Sequence, residues 1–161
     1  MSRLLAIFLS IIYLSGTAHA TPTPEQPDRK AEAYNLTEGL AMLGYDPVPF
    51  FNEVGGEALQ GQKDYTAEYG GVTYLFSSLE TQELFFSNPT RFEPTYGGWC
   101  AFAMSNQAYV PVDPNLFTIH GNRLHLFSSR GAKARFDADL ESREQLADDF
   151  WKSETGEEPR K

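Results

Sequence analysis

Two glycine turns, each flanked by segments of alternating apolar residues, constrain the fold more than any other feature of the sequence. Residues 63–77 alternate around Gly70-Gly71, and a glycine pair suits the tight two-residue turn of a β-hairpin. A turn at this position pairs Tyr69 with Val72, Ala67 with Tyr74 and Tyr65 with Phe76. All six side chains are then expected on one apolar face.

A second hairpin is predicted over residues 116–127, with Gly121-Asn122 at its turn. One face of this hairpin carries Phe117, Ile119, Leu124 and Leu126. The opposite face carries Thr118, His120, Arg123 and His125. This register makes His120 and His125 diagonal neighbours, with backbones about 7–8 Å apart.

Helices are predicted between and after the hairpins. Residues 77–80 (SSLE) are typical of a capping box, which opens a helix that continues through Phe86 and ends at Asn88-Pro89. A short helix is expected to begin near Trp99, and a last helix to span residues 132–152. The acidic residues of the last helix are expected to face water, namely Asp137, Glu141, Glu144 and Asp148. Hairpins interleaved with helices, without an evident internal repeat, predict a small α+β fold.

The N-terminal residues predict export. A basic Arg3, an apolar run over residues 4–14 and the small residues of Ala18-His19-Ala20 are typical of a cleaved signal peptide at residues 1–20. The run is too short to span a bilayer. The mature protein is therefore expected in the periplasm of a Gram-negative cell and otherwise outside the cell. Residues 21–33, which are polar and contain three prolines, are expected to form a flexible leader.

The remaining chain is divided by its pattern into a folded unit at residues 34–130, a C-terminal helix at 131–152 packed on or beside it, and a polar tail at 153–161. Its composition is acidic, with 13 Lys and Arg residues against 22 Asp and Glu residues and a net charge of −9. Such a charge repels phosphate backbones and anionic lipid headgroups. Nucleic acid is therefore not expected as a partner, nor is a membrane after signal cleavage.

The single cysteine, Cys100, has no partner for a disulfide within its own chain. Exported proteins usually form disulfides from paired cysteines, so this thiol is buried and inert, reactive or metal-ligating, or paired with another molecule. A cysteine in the first turn of a helix is stabilised as the thiolate. The adjacent Gly97 and Gly98 would let a substrate approach the backbone closely.

Four blocks of the sequence, in this order, resemble the YHS domain family, and in particular its exported single-domain (seleno)protein subgroup. The blocks are residues 44–51 (GYDPVPFF), 69–78 (YGGVTYLFSS), 84–103 (LFFSNPTRFEPTYGGWCAFA) and 113–127 (DPNLFTIHGNRLHLF). The resemblance implies a YHS-like domain over residues 34–130. Metal-handling members of the family carry three cysteines at positions that we align with Pro49, Ser77 and Thr81, so their metal site is not expected here.

In the exported subgroup the thiol follows the glycine pair, and some members have selenocysteine there. The resemblance therefore implies that Cys100 is the catalytic, redox or ligating residue, supported by a loop of Asp46, Gly97, Gly98 and Trp99. A soft metal ion such as copper is a possible cofactor, with Cys100, His120 and His125 as candidate ligands. Against this, Arg123 lies opposite His120 and would repel a cation, and a zinc site needs more ligands than two histidines.

Three functions remain open at this point. The first is binding of a soft metal through Cys100, and the second is thiol redox chemistry at Cys100 with an exported partner protein. The third is an accessory or interaction domain in which the cysteine is structural. The sequence does not decide whether the protein is an enzyme, because one fold hosts different sites.

Overall fold

The computed structural model describes residues 27–160, which form two β-sheets with helices packed between and after them. The strands are β1 (Leu36–Thr37), β2 (Leu40–Ala41), β3 (Gln62–Tyr69), β4 (Val72–Phe76), β5 (Asp113–His120) and β6 (Arg123–Phe127). The α-helices are α1 (Leu79–Ser87), α2 (Pro89–Phe92), α3 (Ala101–Met104), α4 (Arg130–Asp137) and α5 (Leu140–Thr155). This is the small α+β domain with a C-terminal helix that the sequence predicts.

The first sheet has the strand order β1-β2-β4-β3, and only the contact between β2 and β4 is parallel. The second sheet is the β5–β6 hairpin alone. Aromatic side chains fill the space between these sheets and the helices. Those with almost no exposed surface are Phe50, Phe51, Tyr74, Phe76, Phe85, Tyr96, Phe127, Phe136 and Trp151.

The first hairpin forms as predicted near its turn and differs farther away. Tyr69 pairs with Val72 and Ala67 with Tyr74, but the ladder then shifts, so that Phe76 pairs with Gln62 instead of Tyr65. The Thr66 hydroxyl donates a hydrogen bond to the carbonyl of Lys63, 2.7 Å away, and closes a local turn inside the strand. This irregularity leaves Tyr65 without the predicted partner Phe76, although its half-buried side chain still packs against the core.

The second hairpin has the predicted register. His120 pairs with Arg123, Ile119 with Leu124, Thr118 with His125, and Phe117 with Leu126. The two histidines therefore lie on the same face of the hairpin, as the turn at Gly121-Asn122 requires.

The helices begin and end at positions that correct several predictions. The capping box lies one residue later than expected, because Ser78 accepts from the Thr81 amide and the Thr81 hydroxyl accepts from Ser78. The predicted last helix is two helices, separated at Ala138-Asp139, and α5 extends to Thr155, where Gly156 ends it with a φ of 78°.

Both ends of the described chain pack against its body. The structure differs here from the expected flexible leader and polar tail, because the Arg29 side chain is 2% exposed and the Arg160 side chain 15% exposed. Both arginines bind the carboxylate of Glu93. The predicted signal peptide and residues 21–26 lie outside the described part of the chain. No helix within residues 27–160 combines the length and the hydropathy that crossing a membrane requires.

The buried Asp46 fastens the chain before the first hairpin to the start of α1. Its carboxylate accepts hydrogen bonds from the amide of Val48 at 2.9 Å, and from the amide and hydroxyl of Ser77 at 2.7 and 2.8 Å. Ser77 is therefore a partner of Asp46, and its neighbour Ser78 takes the role of the helix cap.

We predict that Asp46→Asn destabilises the fold by about 2–4 kcal/mol, because an amide NH2 would face the N–H of Ser77 in a site with no exposed surface. Urea unfolding measures the change. Asp113→Asn is the matched control, since Asp113 is exposed and accepts hydrogen bonds from the neighbouring Asn115. Equal losses in the two variants would contradict the buried-acceptor role of Asp46.

Candidate functional site

Cys100 lies immediately before α3, and its side chain is buried. Its amide donates to the carbonyl of Val110 at 3.0 Å, and its own carbonyl accepts from Met104 at 2.9 Å. The residue is 0% exposed and makes no side-chain capping bond to the helix. The expectation that Cys100 sits in the first turn is thus wrong by one position, because α3 begins at Ala101 and has only four residues.

A cavity of about 420 Å³ lies between α3 and the first turn of α4, and the buried Cys100 is among the residues that line it. Its apolar lining includes Phe102, Ala103 and Val110. Its polar lining is contributed by Asn106, Ser128, Ser129 and Arg135. Cys100 is therefore a buried residue with a cavity next to it.

The α4 side of the cavity carries donors and a positive charge. Ser129 caps α4 by accepting from the amide of Ala132 at 3.1 Å, and Gly131 adds no side chain to the wall. Arg135 is exposed, with its guanidinium carbon 5.9 Å from the ring centre of Phe102. The start of a helix and an arginine both favour an anionic group.

Sequence reasoning missed Ser128, Ser129 and Arg135, although a signal for the two serines was present. The serine pairs Ser77-Ser78 and Ser128-Ser129 each follow a phenylalanine that ends the second strand of a hairpin, and each pair precedes a helix. The described chain thus contains two units of hairpin, serine pair and helix.

The predicted supporting loop does not line the cavity. Asp46 instead binds Ser77 and Val48. Asn35 binds the backbone of Gly97 and Gly98. Its backbone amide donates to the Gly97 carbonyl, and its side-chain amide donates to the Gly98 carbonyl. Trp99 is half-buried, and its Nε1 donates to the carbonyl of Ala33 at 2.7 Å. The glycines and Trp99 hold the N-terminal segment against the body.

Gly97 is required by packing. Its φ is +59°, and a Cβ there would lie 2.9 Å from the Trp151 ring and 3.0 Å from the Tyr34 ring. The absence of a side chain at Gly97 therefore leaves room for Tyr34 and Trp151, which come from opposite ends of the described chain. Their ring centres lie 5.6 Å apart.

We predict that Gly97→Ala costs about 2–4 kcal/mol of stability, from the left-handed backbone and from steric overlap together. Gly121→Ala is the matched control, since Gly121 has the same φ of +59° and a Cβ at that position would meet no atom within 4 Å. It should cost about 1 kcal/mol. Chemical denaturation of both variants measures the difference, and equal losses would exclude the packing role.

The two histidines bind a carboxylate of the C-terminal helix. His125, which is fully buried, places Nε2 2.5 Å from Oε1 of Glu144 and Nδ1 2.9 Å from the Thr95 hydroxyl. His120 is half exposed and places Nδ1 3.1 Å from the same Glu144 oxygen. Both side chains thus tie the second hairpin to α5.

The prediction that Glu144 and Asp148 face water is wrong. Asp148 accepts from Arg123 at 2.5 Å and from the Tyr96 hydroxyl at 2.8 Å, while Arg123 also lies 3.6 Å from Oε2 of Glu144. Helical spacing places both acids one turn apart on the face that meets the hairpin. Their partners come from a distant strand, so the charge pattern of the helix alone could not identify them.

This arrangement does not form the expected metal site. Within residues 27–160, no group of three or more His, Cys, Asp and Glu side chains is arranged to hold a metal ion. His120 and His125 are instead occupied by Glu144, and Arg123 adds a positive charge beside them.

Burial and hydrogen bonding shift the pKa values in this cluster. Burial lowers the pKa of His125 below 6.5, although Glu144 opposes the shift. Partial burial raises the pKa of Glu144, but the hydrogen bond from His125 and the charge of Arg123 outweigh it and lower the pKa to about 2. Glu144 therefore stabilises the folded state above pH 4.5, and this contribution is lost as the pH falls from 4.5 toward 2.

We predict that Glu144→Gln flattens the loss of stability between about pH 5 and pH 3, because the native state then no longer holds this carboxylate in its charged form. Urea unfolding at several pH values measures the slope. Glu141→Gln, an exposed position on the same helix, should keep the wild-type slope. An unchanged slope in Glu144→Gln would show that other groups cause the acid sensitivity.

The fold and the site define a small α+β domain in which one thiol lies beside a partly polar cavity. Comparison with protein-family models, with curated proteins and with solved structures gave no match. The resemblance to the YHS family therefore stays a prediction from the sequence blocks.

Proposed function

We propose that the protein is an exported YHS-like domain that acts through Cys100 in thiol–disulfide exchange with a small anionic disulfide. The observation that carries the proposal is the cavity of about 420 Å³ that brings Cys100, the start of α4 and Arg135 to one site. The cavity has room for a small molecule, and Arg135 supplies a charge that pairs with a carboxylate.

The repeated serine pair supports a carboxylate-bearing substrate. In the first unit the amide and hydroxyl of Ser77 bind the carboxylate of Asp46. In the second unit the equivalent Ser128 lines the cavity. A carboxylate of the substrate would take the place that Asp46 occupies in the first unit.

The chemistry requires one thiol of the protein and one disulfide. The Cys100 thiol loses its proton to solvent, and the thiolate attacks one sulfur of the substrate. That S–S bond breaks, a mixed disulfide with Cys100 forms, and the other half leaves as a thiolate. A second thiol compound or a reductant protein then restores Cys100, because the chain has no second cysteine.

Cys100 has no exposed surface, so exchange requires part of the cavity wall to move. Phe102 is the side chain we expect to move, because it is only half-buried and lies beneath two arginine side chains. The guanidinium carbons of Arg135 and Arg143 lie 5.9 and 5.0 Å from its ring centre. An anionic substrate that draws Arg135 away would also loosen this ring.

A second candidate is an accessory or interaction domain with a structural cysteine, and the complete burial of Cys100 favours it. Binding of a soft metal has less support, since both histidines are engaged by Glu144. The reactivity of the native thiol distinguishes thiol–disulfide exchange from a structural role of Cys100.

We predict that the folded protein forms a mixed disulfide with oxidised glutathione, and that Arg135→Ala slows this reaction at least about threefold by removing a charge partner for the carboxylates. Mass spectrometry follows the adduct with time. Arg135→Ala should not slow the reaction with methyl methanethiosulfonate, because this neutral reagent has no carboxylate for Arg135 to pair with. Arg130→Ala, an exposed arginine of the same helix outside the cavity lining, is the matched control.

Two results would overturn the proposal. One is a native thiol that reacts with neither reagent while the urea-unfolded chain reacts with both, which would establish a structural cysteine. The other is equal slowing of the glutathione reaction by Arg135→Ala and Arg130→Ala, which would show that the rate depends on the overall charge of the protein and not on a charge at the cavity.

A further inference from the structure

Two arginines at the thiol cavity have no carboxylate partner, although the chain is rich in acids. No ion pair joins Arg135 or Arg143 to a carboxylate among residues 27–160. With 22 Asp and Glu residues against 13 Lys and Arg residues, partners are not scarce. Other arginines of the described chain do pair with a carboxylate, namely Arg29, Arg91, Arg123 and Arg160.

Both unpaired arginines contact the same aromatic ring. Arg135 belongs to α4 and Arg143 to α5, and Phe102 belongs to α3, which packs against both helices. The two guanidinium carbons lie 5.9 and 5.0 Å from the Phe102 ring centre. Such a contact is worth only about 0.5–1 kcal/mol at an exposed site, and two like charges beside one ring repel each other. An anionic ligand would relieve this repulsion.

The hydrogen bonding of Arg143 is incomplete. Its Nη1 lies 3.5 Å from the Ser105 hydroxyl, which is longer than the usual N–H···O distance of about 2.9 Å. Its Nε is buried and has no hydrogen-bond partner among residues 27–160. Asp139 stands four positions earlier, a spacing that favours ion pairs along a helix, yet it is exposed and does not pair with Arg143. Arg143 is therefore a half-buried cation without a charge partner.

The two arginines differ in their relation to the cavity. Arg135 and Phe102 line it, whereas Arg143 is outside the lining and contacts only the Phe102 side of it. A ligand that binds both arginines therefore needs one anionic group inside the cavity and another outside, with its middle across Phe102. Two carboxylates on a short chain match this arrangement better than one compact anion, since each can take a planar guanidinium partner.

We propose that Arg135 and Arg143 together bind a linear dicarboxylate across Phe102, with one carboxylate at each arginine. Binding itself needs no chemistry at Cys100. Its consequence for exchange rests on the proposed function: the substrate is a disulfide that carries one carboxylate on each half. The Cys100 thiolate attacks one sulfur, the S–S bond breaks, one half stays bonded to Cys100, and the other half leaves as a thiolate.

The binding test uses the full mature chain and suberate, which has as many atoms between its carboxyl groups as dithiodipropionate and cannot exchange. We expect suberate to bind at least about tenfold more tightly than its monomethyl ester, because only suberate has a carboxylate for each arginine. Inorganic sulfate, a compact dianion, should bind at least about tenfold more weakly than suberate. Isothermal titration calorimetry measures all three affinities.

Variants assign the second carboxylate to Arg143. Arg143→Gln should lower the affinity for suberate to that for the monomethyl ester. Arg143→Lys keeps the charge without the planar fork and should give an intermediate affinity, which also separates charge from packing. Arg130→Gln is the matched control, since Arg130 is an exposed arginine of α4 outside the cavity lining, and it should bind suberate as the wild type does.

Three results would overturn the dicarboxylate site. One is equal affinity for suberate and its monomethyl ester, and another is sulfate binding as tight as suberate binding. The third is equal weakening by Arg143→Gln and Arg130→Gln, which would show a dependence on overall charge alone.

The exchange test compares dithiodipropionate with the neutral hydroxyethyl disulfide. Each rate of mixed-disulfide formation is divided by the rate of the urea-unfolded chain, so that the intrinsic reactivity of the reagent cancels. The wild type should then favour dithiodipropionate at least about fivefold, and Arg143→Gln should remove most of this preference. A native thiol that reacts with neither reagent while suberate binds would overturn the proposed exchange alone. Exchange without suberate binding would overturn the dicarboxylate site alone.

Discussion

The buried carboxylate of Glu93 imposes a constraint on which much of the structure depends. A charge with no exposed surface is unfavourable unless it is paired and hydrogen-bonded. Glu93 receives Arg29 from one end of the described chain, Arg160 from the other, and the Tyr74 hydroxyl from the first sheet. Both ends of the described chain therefore contribute to neutralising one carboxylate.

Glu93 also determines the path of the chain into the thiol site. It follows α2 and precedes the turn of Thr95–Gly98, where Thr95 contacts His125 and Gly97 packs against Trp151. Cys100 comes two residues after this turn. The loop that carries the thiol is thus fixed on one side by an ion-pair cluster and on the other by the His125–Glu144 contact with α5.

The parts of this fold that are encoded locally could be predicted from the sequence. Glycine turns determine both hairpins, since only a few two-residue turns match the twist of paired strands. The repeated serine before α1 and α4 caps each helix, with Ser78 accepting from the Thr81 amide and Ser129 from the Ala132 amide. The register near each turn and the starts of these helices depend on residues only a few positions apart.

The features that sequence reasoning missed depend on residues far apart in the chain. Glu144 is separated from His125 by 19 positions and Glu93 from Arg29 by 64, so neither pattern can be identified in a window of one helix or one strand. Residues 27–30 belong to the predicted flexible leader because the composition of that segment is polar. Its single buried arginine reverses that assignment, since one bidentate ion pair on a desolvated carboxylate can hold a segment that has no apolar period.

The two serine pairs illustrate how equal local sequence leads to different surroundings. Ser77 meets an aspartate that the chain supplies before the first hairpin, whereas Ser128 lines a cavity next to Cys100. The difference arises from the segment that precedes each hairpin. Residues 44–61 contain Asp46, which binds Ser77 at the start of α1. The segment before β5 contains Val110, whose carbonyl accepts a hydrogen bond from the Cys100 amide. The segment before the second hairpin thus binds the backbone of Cys100 and supplies no carboxylate to the serine pair before α4, which lines the cavity instead.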